Sequence, residues 1–575
     1  MIEPMKRWVE RTLPYIPLVA IILVMAGRFH LGLIRMFDPD EFSHIHWSYL
    51  VFAGKRPYVD FFFYIVPTFQ WMLAPFFLLP HTPFLVILFR IVAFLLYGAT
   101  ALVLYRIARL AVKNTFWSML AVLAYTVFPM TLDKTIDVRP DTLMMLLFLV
   151  SVFLLVDRKP LTAKRAFICG MSLSLSFLTM SKMVFAIPAV MYLLFAERRR
   201  ITRTAFLWGV AGVFAPPLVF VLYLFVTGIG LVRAATALTQ WAFAVNLGKE
   251  PFSPMKTLSP WPLVYIDQGG PSFPWITNIV LWITGVIGLP ALMKSHWRIG
   301  IFSLLFTTGG VIFFLFFPVP YVQYFIPLSA VVCLSTAAFG ERLVSFVSRY
   351  LPPRYEFVRW SLLVLVPGAL LVSFVVQYSA RLPLGGSNKE QLEAIRSVLT
   401  VVKPDEPVYD RTGEYIFRPD SYFICCHPYA EFVDHLSIRV PNLRESLVET
   451  KTKYILLDQK GYVFWHPKPD DLDFILTNYQ LSRHFKLYTL GVAFRCADNT
   501  CQQYNLHLRP TGKPPTSVFS LALPETYALA TTPSGLVMKI DGTSYPDGSN
   551  IPLDAGVHRF EVPSSLSAFV LQILR

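Results

Sequence analysis

Eleven apolar runs fill most of the first 380 residues, near 13–27, 84–104, 116–130, 141–156, 166–180, 183–196, 204–228, 275–293, 299–317, 321–339 and 360–378. Crossing a bilayer takes about 20 mostly apolar residues in a helix, because hydrocarbon offers no partner for backbone N–H and C=O groups. Hydrophobic residues make up 55% of the 575 and charged residues 15%, against roughly 25% charged in ordinary globular chains. A soluble core does not hide that much apolar side chain, since single cores stop growing beyond about 250–300 residues. The sequence therefore predicts a polytopic α-helical membrane protein with about 11 transmembrane helices.

Orientation follows from where the basic residues fall. If the eleven runs alternate, the loops around Arg106, Arg158, Arg198, Lys294 and Arg342 share one side with Lys6, Arg7 and Arg11. That side carries 20 Lys and Arg. The opposite loops are nearly twice as long but hold ten up to residue 379. Basic excess marks the cytoplasmic face, so the N-terminus is expected inside and the C-terminal region outside. The apolar run 64–79 would invert this pattern if it crossed, so it is expected to lie in or dip into the outer leaflet. Nothing near Gly27 resembles a small-residue cleavage site, and the first helix reads as an uncleaved anchor. The net charge of +15 is spread over these loops rather than gathered in a patch, which excludes nucleic acid as a partner.

From about Arg381 the pattern becomes that of a soluble domain. The expected division is 1–380 as the membrane domain, 381–515 as an outer α/β domain, and 516–575 as a small β-sandwich tail. Gln391–Val402 has helical spacing. The tail alternates apolar residues between Asp541-Gly542, Asp547-Gly548 and Ala555-Gly556, a hairpin signature. Cys496 and Cys501 bracket a short polar loop and suit a disulfide. Cys425-Cys426-His427 lacks a second ligand pair at zinc spacing.

Chemistry-bearing residues gather in the loops opposite the basic side. "FDPDEFSHIHW" places Asp38, Asp40 and Glu41 within four residues, with Asp38 at a helix N-cap, Pro39 at the first helical position and Glu41 at the third. "LDKTIDVRPDTL" adds Asp133, Asp137, Arg139 and Asp141. Carboxylates at a lipid boundary are costly unless paired or used; such groups suit general-base work, and Asp40 with Glu41 can also hold a divalent cation. The cations at this level are Lys182, Arg139 and Lys55-Arg56, with Arg90 about two turns inside a span. A cation at that depth is what an anionic lipid phosphate needs as partner. His44 and His46 follow the acidic cluster and can orient or ligate. The long segment 229–274, with Trp241, Trp261, Tyr265 and Asp267, suits sugar binding or an amphipathic outer-leaflet helix.

With these residues in view, the sequence resembles the GT-C membrane glycosyltransferases, in the branch of protein O-mannosyltransferases and lipid A aminoarabinose transferases. The segments carrying the likeness are "DPDEFSHIHWSYLVFAGKRPYVD", "VRPDTLMMLLFL", "LSFLTMSKMVF" and "PYVQYFIPLSAVVCL", across roughly 10–380. The resemblance implies a GT-C-like membrane fold with an outer C-terminal domain. It also implies transfer of a sugar from a polyprenyl-phosphate donor to a glycan, lipid or protein acceptor, at the outer face of a bacterial or archaeal plasma (inner) membrane. On the motif match Asp40 is the base, with Glu41 beside it. Asp141 is the second acidic position, and Lys182 lies near the donor phosphate. Arg139, Arg56, Asp60, Tyr324, Gln323, Asp38 and Arg90 complete the expected substrate contacts. No organic cofactor is implied. Two departures stand out: Ile65-Val66-Pro67 replaces the Glu-Lys-Pro of aminoarabinose transferases, and Gln323 stands where a basic residue is common. A polytopic transporter or lipid-linked sugar flippase is the alternative; transporters place charges at mid-membrane and repeat internally, whereas here the charges gather at one face.

Overall fold

The computed structural model describes residue 13 and residues 15–112, 114–247, 274–315, 322–350, 356–384, 387–427, 430–458, 461–465, 467–497, 500–504 and 516–573. Each of the eleven apolar runs falls on a helix. Among the described residues, seven helices are long and apolar enough to cross a membrane: Tyr15–Ile34, Pro83–Ala111, Arg203–Val226, Ile276–Ser295, Trp297–Phe314, Ile326–Tyr350 and Trp360–Leu382. Thr115–Val127, Pro140–Val156 and Ser181–Ala196 are shorter and apolar. Run 64–79 forms helix Thr68–Leu73 and a 3-10 turn Ala74–Leu78, which at about 1.5–2 Å per residue is too short to span.

The helices start and stop for local reasons. Asn114, Thr162 and Thr202 cap three of them with side-chain oxygens on first-turn N–H groups, and proline occupies an early position of Pro140–Val156, where its missing N–H has no intrahelical role. Lipid gives little apolar driving force between helices, so close backbone approach matters. Helices Ala163–Thr179 and Arg203–Val226 meet at Gly170 and Gly212. A Cβ on Gly170 would collide with the Gly209 carbonyl oxygen, and one on Gly212 with that of Phe167.

The chain divides into two compact units. The first holds residues 1–36, 64–72 and 86–388; the second holds 37–63, 73–85 and 389–575. The first is helical. Its core runs from Val24 and Leu31 through Leu123 and Phe148 to Phe306 and Leu334.

The second unit is built on a sheet in the order β1(Val408–Tyr409), β2(Tyr454–Leu456), β4(Leu487–Ala497), β12(Ala568–Ile573), β7(Glu525–Thr532), β10(Asn550–Leu553). Strands β3(Tyr479–Leu481) and β5(Thr500–Tyr504) also pair with β4. Strand β12 lies antiparallel to both β4 and β7, so the 516–575 tail and the preceding α/β segment share one sheet. A second, four-stranded sheet, β6(Val518–Leu521)-β11(Gly556–Glu561)-β8(Val537–Ile540)-β9(Thr543–Pro546), belongs to the tail. Cys496 and Cys501 face each other across β4 and β5 as a disulfide.

Helix Pro39–Phe52, which the sequence groups with 1–380, clusters with this unit. Aromatic packing explains why. Trp47 stands edge-on to Phe63, Tyr49 to Phe77 and Phe417, and His81 stacks on Phe417.

Candidate active site

In the first unit, two interruptions of helix place its buried charges. Helix Pro140–Val156 opens after extended Arg139, with Asp141 in its first turn, where unpaired N–H groups favour a carboxylate. Lys182 sits in the 3-10 turn Ser181–Ala186, entered through the extended backbone of Met180. Its Nζ donates to Asp141 Oδ1, and Arg139 Nε lies 3.5 Å from Asp141 Oδ2. The ammonium also lies 4.9 Å from the centroid of the Tyr324 ring, which is stacked on Phe314. Asp141 is 1% and Lys182 7% exposed. Four expected site residues thus come together: Asp141, Lys182, Arg139 and Tyr324. Side chains that sum to one positive charge and include an aromatic wall suit a singly charged phosphodiester. The side chains of Gln323 and Asp133 lie outside the described residues, as do Trp261, Tyr265 and Asp267.

Neighbouring charges in this unit hold structure. Asp137 accepts from Arg35 Nη2 and lies 3.7 Å from Lys134 Nζ. The reading of Arg90 as a phosphate partner does not match its position. Its guanidinium donates to the carbonyls of Gly32, Arg35 and Met36 at 2.6–2.9 Å. It satisfies carbonyls at the end of helix Tyr15–Ile34, which have no partner within that helix. Arg28 does similar work, donating to the carbonyls of Thr126 and Thr131 with its guanidinium 4.2 Å from the Tyr97 ring centroid.

In the second unit, Asp38, Pro39 and Glu41 form a capping box. Asp38 accepts the N–H of Asp40 at 3.0 Å, and Glu41 accepts the N–H of Asp38 at 2.8 Å. Glu41 is fully buried, while Asp40 is half-buried. Asp38 and Glu41 are thereby engaged in holding the helix start, and of the three Asp40 is the one whose side chain is not part of the cap. Arg56 and Asp60 bind each other, with Nη2 3.0 Å from Oδ1 and the backbone N–H of Arg56 2.7 Å from Oδ2. This partnership takes up groups that the sequence assigned to substrate. Among the described residues, the group of three or more potential metal ligands is His46, Asp420, Cys425 and Cys426, and it does not contain Asp40 or Glu41. His44 packs edge-on to Trp47.

Comparisons with known proteins bear on both units. Residues 65–224 match the family model for dolichyl-phosphate-mannose-protein mannosyltransferase. No curated protein matches the chain. Among solved structures, ArnT from Cupriavidus metallidurans bound to undecaprenyl phosphate superposes with a TM-score of 0.57 at 11% identity, over 82% of this chain and 97% of that one. The same protein in the apo state gives 0.54 at 12% identity, with the same coverage. The chain has the GT-C membrane glycosyltransferase fold. Within this GT-C fold, an integral membrane architecture with a sheet-bearing C-terminal unit, the 65–224 match contains Arg139, Asp141 and Lys182. Sequence reasoning missed the Arg35–Asp137 pair and the His46–Asp420 pair. Position 35 offered no signal beyond a charge at the end of an apolar run.

Proposed function

We propose that the protein is a glycosyltransferase that moves a sugar from a polyprenyl-phosphate donor to an acceptor on the outer face of the membrane. The observation that carries the reading is the buried Lys182–Asp141–Arg139 cluster, inside the region matched by a mannosyltransferase family model and on a fold shared with a protein that binds undecaprenyl phosphate. An acceptor hydroxyl has no useful acidity at neutral pH, so a carboxylate takes its proton as the new bond to the anomeric carbon forms. Asp40 is the base in this reading. As the hydroxyl oxygen attacks, the bond from the anomeric carbon to the phosphate oxygen breaks, and its electron pair leaves with the lipid phosphate. That leaving group is already a stable anion and needs electrostatic stabilisation more than a proton. Lys182 supplies it, held by Asp141 and shielded by Tyr324, with Arg139 adding charge. One in-line displacement inverts the anomeric centre.

The excess of basic residues on one set of loops supports an inside N-terminus and an outside C-terminal unit. The Cys496–Cys501 disulfide agrees with an oxidising compartment. The test is purified protein supplied with a panel of polyprenyl-phosphate sugars, following release of lipid phosphate and the anomeric configuration of the product. Release with one donor and inversion is the expected result. Passage of the lipid-linked sugar across a vesicle membrane without release would instead establish a flippase.

A further inference from the structure

Helix Pro140–Val156 carries Asp141 in its first turn, and a second concentration of charge lies beyond its other end, 17 residues or about 25 Å away. There a cavity of about 450 Å³ is lined by Arg158, Arg200, Lys294, His296, Trp297 and Arg298, and among the described residues its lining holds no carboxylate. The cavity sits where helices end: after Val156, after Ala196, and at the junction of Pro274–Ser295 with Trp297–Leu315. Ile276–Ser295 and Trp297–Phe314 are both long and apolar enough to cross a membrane. A single residue, His296, separates them, so their junction lies at the level of the bilayer's headgroups.

The charge there is held in place. Glu197, 3% exposed, accepts from Arg200 Nη1 at 2.8 Å and from Arg298 Nη1 at 2.6 Å. Arg200 also donates to the carbonyls of Asp157 and Lys159. One carboxylate thus answers two guanidiniums. Arg158 and Lys294 are exposed, and among the described residues neither has an ion-pair partner. With Glu197 counted, the cavity keeps three positive charges in excess. His296 responds to them. Its Nδ1 accepts the Ile299 N–H at 3.4 Å, and burial, joined by Arg158 and Arg298, holds the imidazole below its usual range. The ring is therefore neutral at pH 7, with its proton on Nε2 as a further donor. Cations that only orient a chain in the membrane need no fixed geometry. Here two are clamped by a buried carboxylate beside two that are unpaired, and such a gathering of like charge is relieved by an anion rich in acceptor oxygens. Trp297, 54% exposed, has the Arg298 guanidinium 5.6 Å from its ring centroid, and exposed tryptophans favour the headgroup level.

We propose that this cavity is a binding site for the phosphate headgroup of an anionic phospholipid. Basic pockets between membrane helices take such headgroups. A soluble phosphate would meet the same cations, but a cavity at the ends of crossing helices, beside an exposed tryptophan, favours a ligand anchored in the bilayer. The site is separate from the Lys182–Asp141 cluster and does not depend on the transferase reading.

The experiment uses the full-length protein in zwitterionic micelles, read by native mass spectrometry and thermal unfolding, neither of which needs transfer activity. Titrated with phosphatidylglycerol, the wild type should gain one saturable lipid and unfold at a higher temperature, and phosphatidylcholine should do neither. Arg158→Gln/Lys294→Gln removes the two unpaired cations, leaves the Glu197 clamp in place, and should weaken phosphatidylglycerol binding about 30-fold. Arg106→Gln/Lys164→Gln removes the same charge from exposed positions outside the lining and should bind as the wild type does. Inorganic pyrophosphate at the lipid's concentration should not displace it. Absence of a saturable lipid, equal losses in the two variants, or unchanged binding in Arg158→Gln/Lys294→Gln would each overturn the site. Pyrophosphate binding as tight as the lipid's would overturn the lipid assignment in favour of a soluble phosphate.

Discussion

Replacing Lys182 with methionine isolates the role of one ammonium. Two charges about 4 Å apart interact by roughly 4 kcal/mol at an effective dielectric constant near 20, but binding also removes water from both. Hydrogen bonds to charged groups, which already include that cost, contribute about 1.5–3 kcal/mol net. We therefore expect Lys182→Met to weaken polyprenyl-phosphate affinity by about 10- to 100-fold, one factor of ten per ~1.4 kcal/mol. The fold should survive. Breaking a buried ion pair outright costs about 3–5 kcal/mol, yet Arg139 stays 3.5 Å from Asp141 and keeps the carboxylate partnered. Asp141→Asn provides the opposite perturbation. It leaves Lys182 and Arg139 facing each other without the carboxylate, so stability should fall more than in Lys182→Met, whereas attraction for an anion should not fall. The assay pairs donor-dependent release of lipid phosphate with thermal unfolding in detergent, with and without polyprenyl phosphate. Unchanged donor dependence in Lys182→Met would refute the reasoning. So would equal loss of lipid phosphate affinity in both variants, since the pair would then act only as a structural strut.

Other outcomes follow from the same reading. Asp40→Asn should abolish transfer while the protein still inserts and folds, since the capping bonds of Asp38 and Glu41 remain; wild-type turnover would remove Asp40 from the role. Glu41→Ala should instead lower stability by about 1 kcal/mol, the usual cost of a lost cap, read as a lower unfolding midpoint. Gly212→Val should prevent the close crossing at Phe167 and appear as loss of monodisperse protein in size-exclusion chromatography. Burial, reinforced by the neighbouring Asp458, pushes the Asp410 carboxyl up to about 7 against the pull of the Gly413 and Thr412 N–H groups. A carboxyl that holds its proton more tightly when folded contributes stability that is full below about pH 4 and lost as pH rises to 7. Hydrogen exchange across 408–426, corrected for its chemical rate, should speed up over that window in the wild type and flatten in Asp410→Asn.

Much of this was legible because it is local. Spans are counted from runs of apolar residues, and Asp38-Pro39-Asp40-Glu41 spells its own cap within four positions. Asp141 and Lys182 each stand out through motif likeness, since each opens a helix or a turn beside an apolar run, but that they bond to each other was not legible. What escaped depends on side chains from remote segments. Arg90 reads as an exposed-ligand cation only while its acceptors are unknown; three carbonyls from 32–36 use it to end a helix. Helix Pro39–Phe52 follows a span and so reads as membrane-associated, but its rings pack on Phe63, Phe77 and Phe417, which sequence distance conceals.

The three acids of the first loop show how the fold bears on a choice that motif likeness makes for Asp40. By charge alone Asp38, Asp40 and Glu41 are interchangeable carboxylates. In the folded helix, Asp38 and Glu41 satisfy N–H groups that would otherwise be buried without partners, and an unpaired donor of that kind costs about 1–3 kcal/mol. Protonating Glu41 would weaken its bond to the Asp38 N–H, so a base at that position would loosen its own helix on every turnover. Asp40 gives only its backbone N–H to the cap, and proton transfer at its side chain leaves the capping bonds in place. A proton acceptor and a structural anchor make opposite demands on a carboxylate, and that is the ground on which the proposal above places the base at Asp40 rather than Glu41.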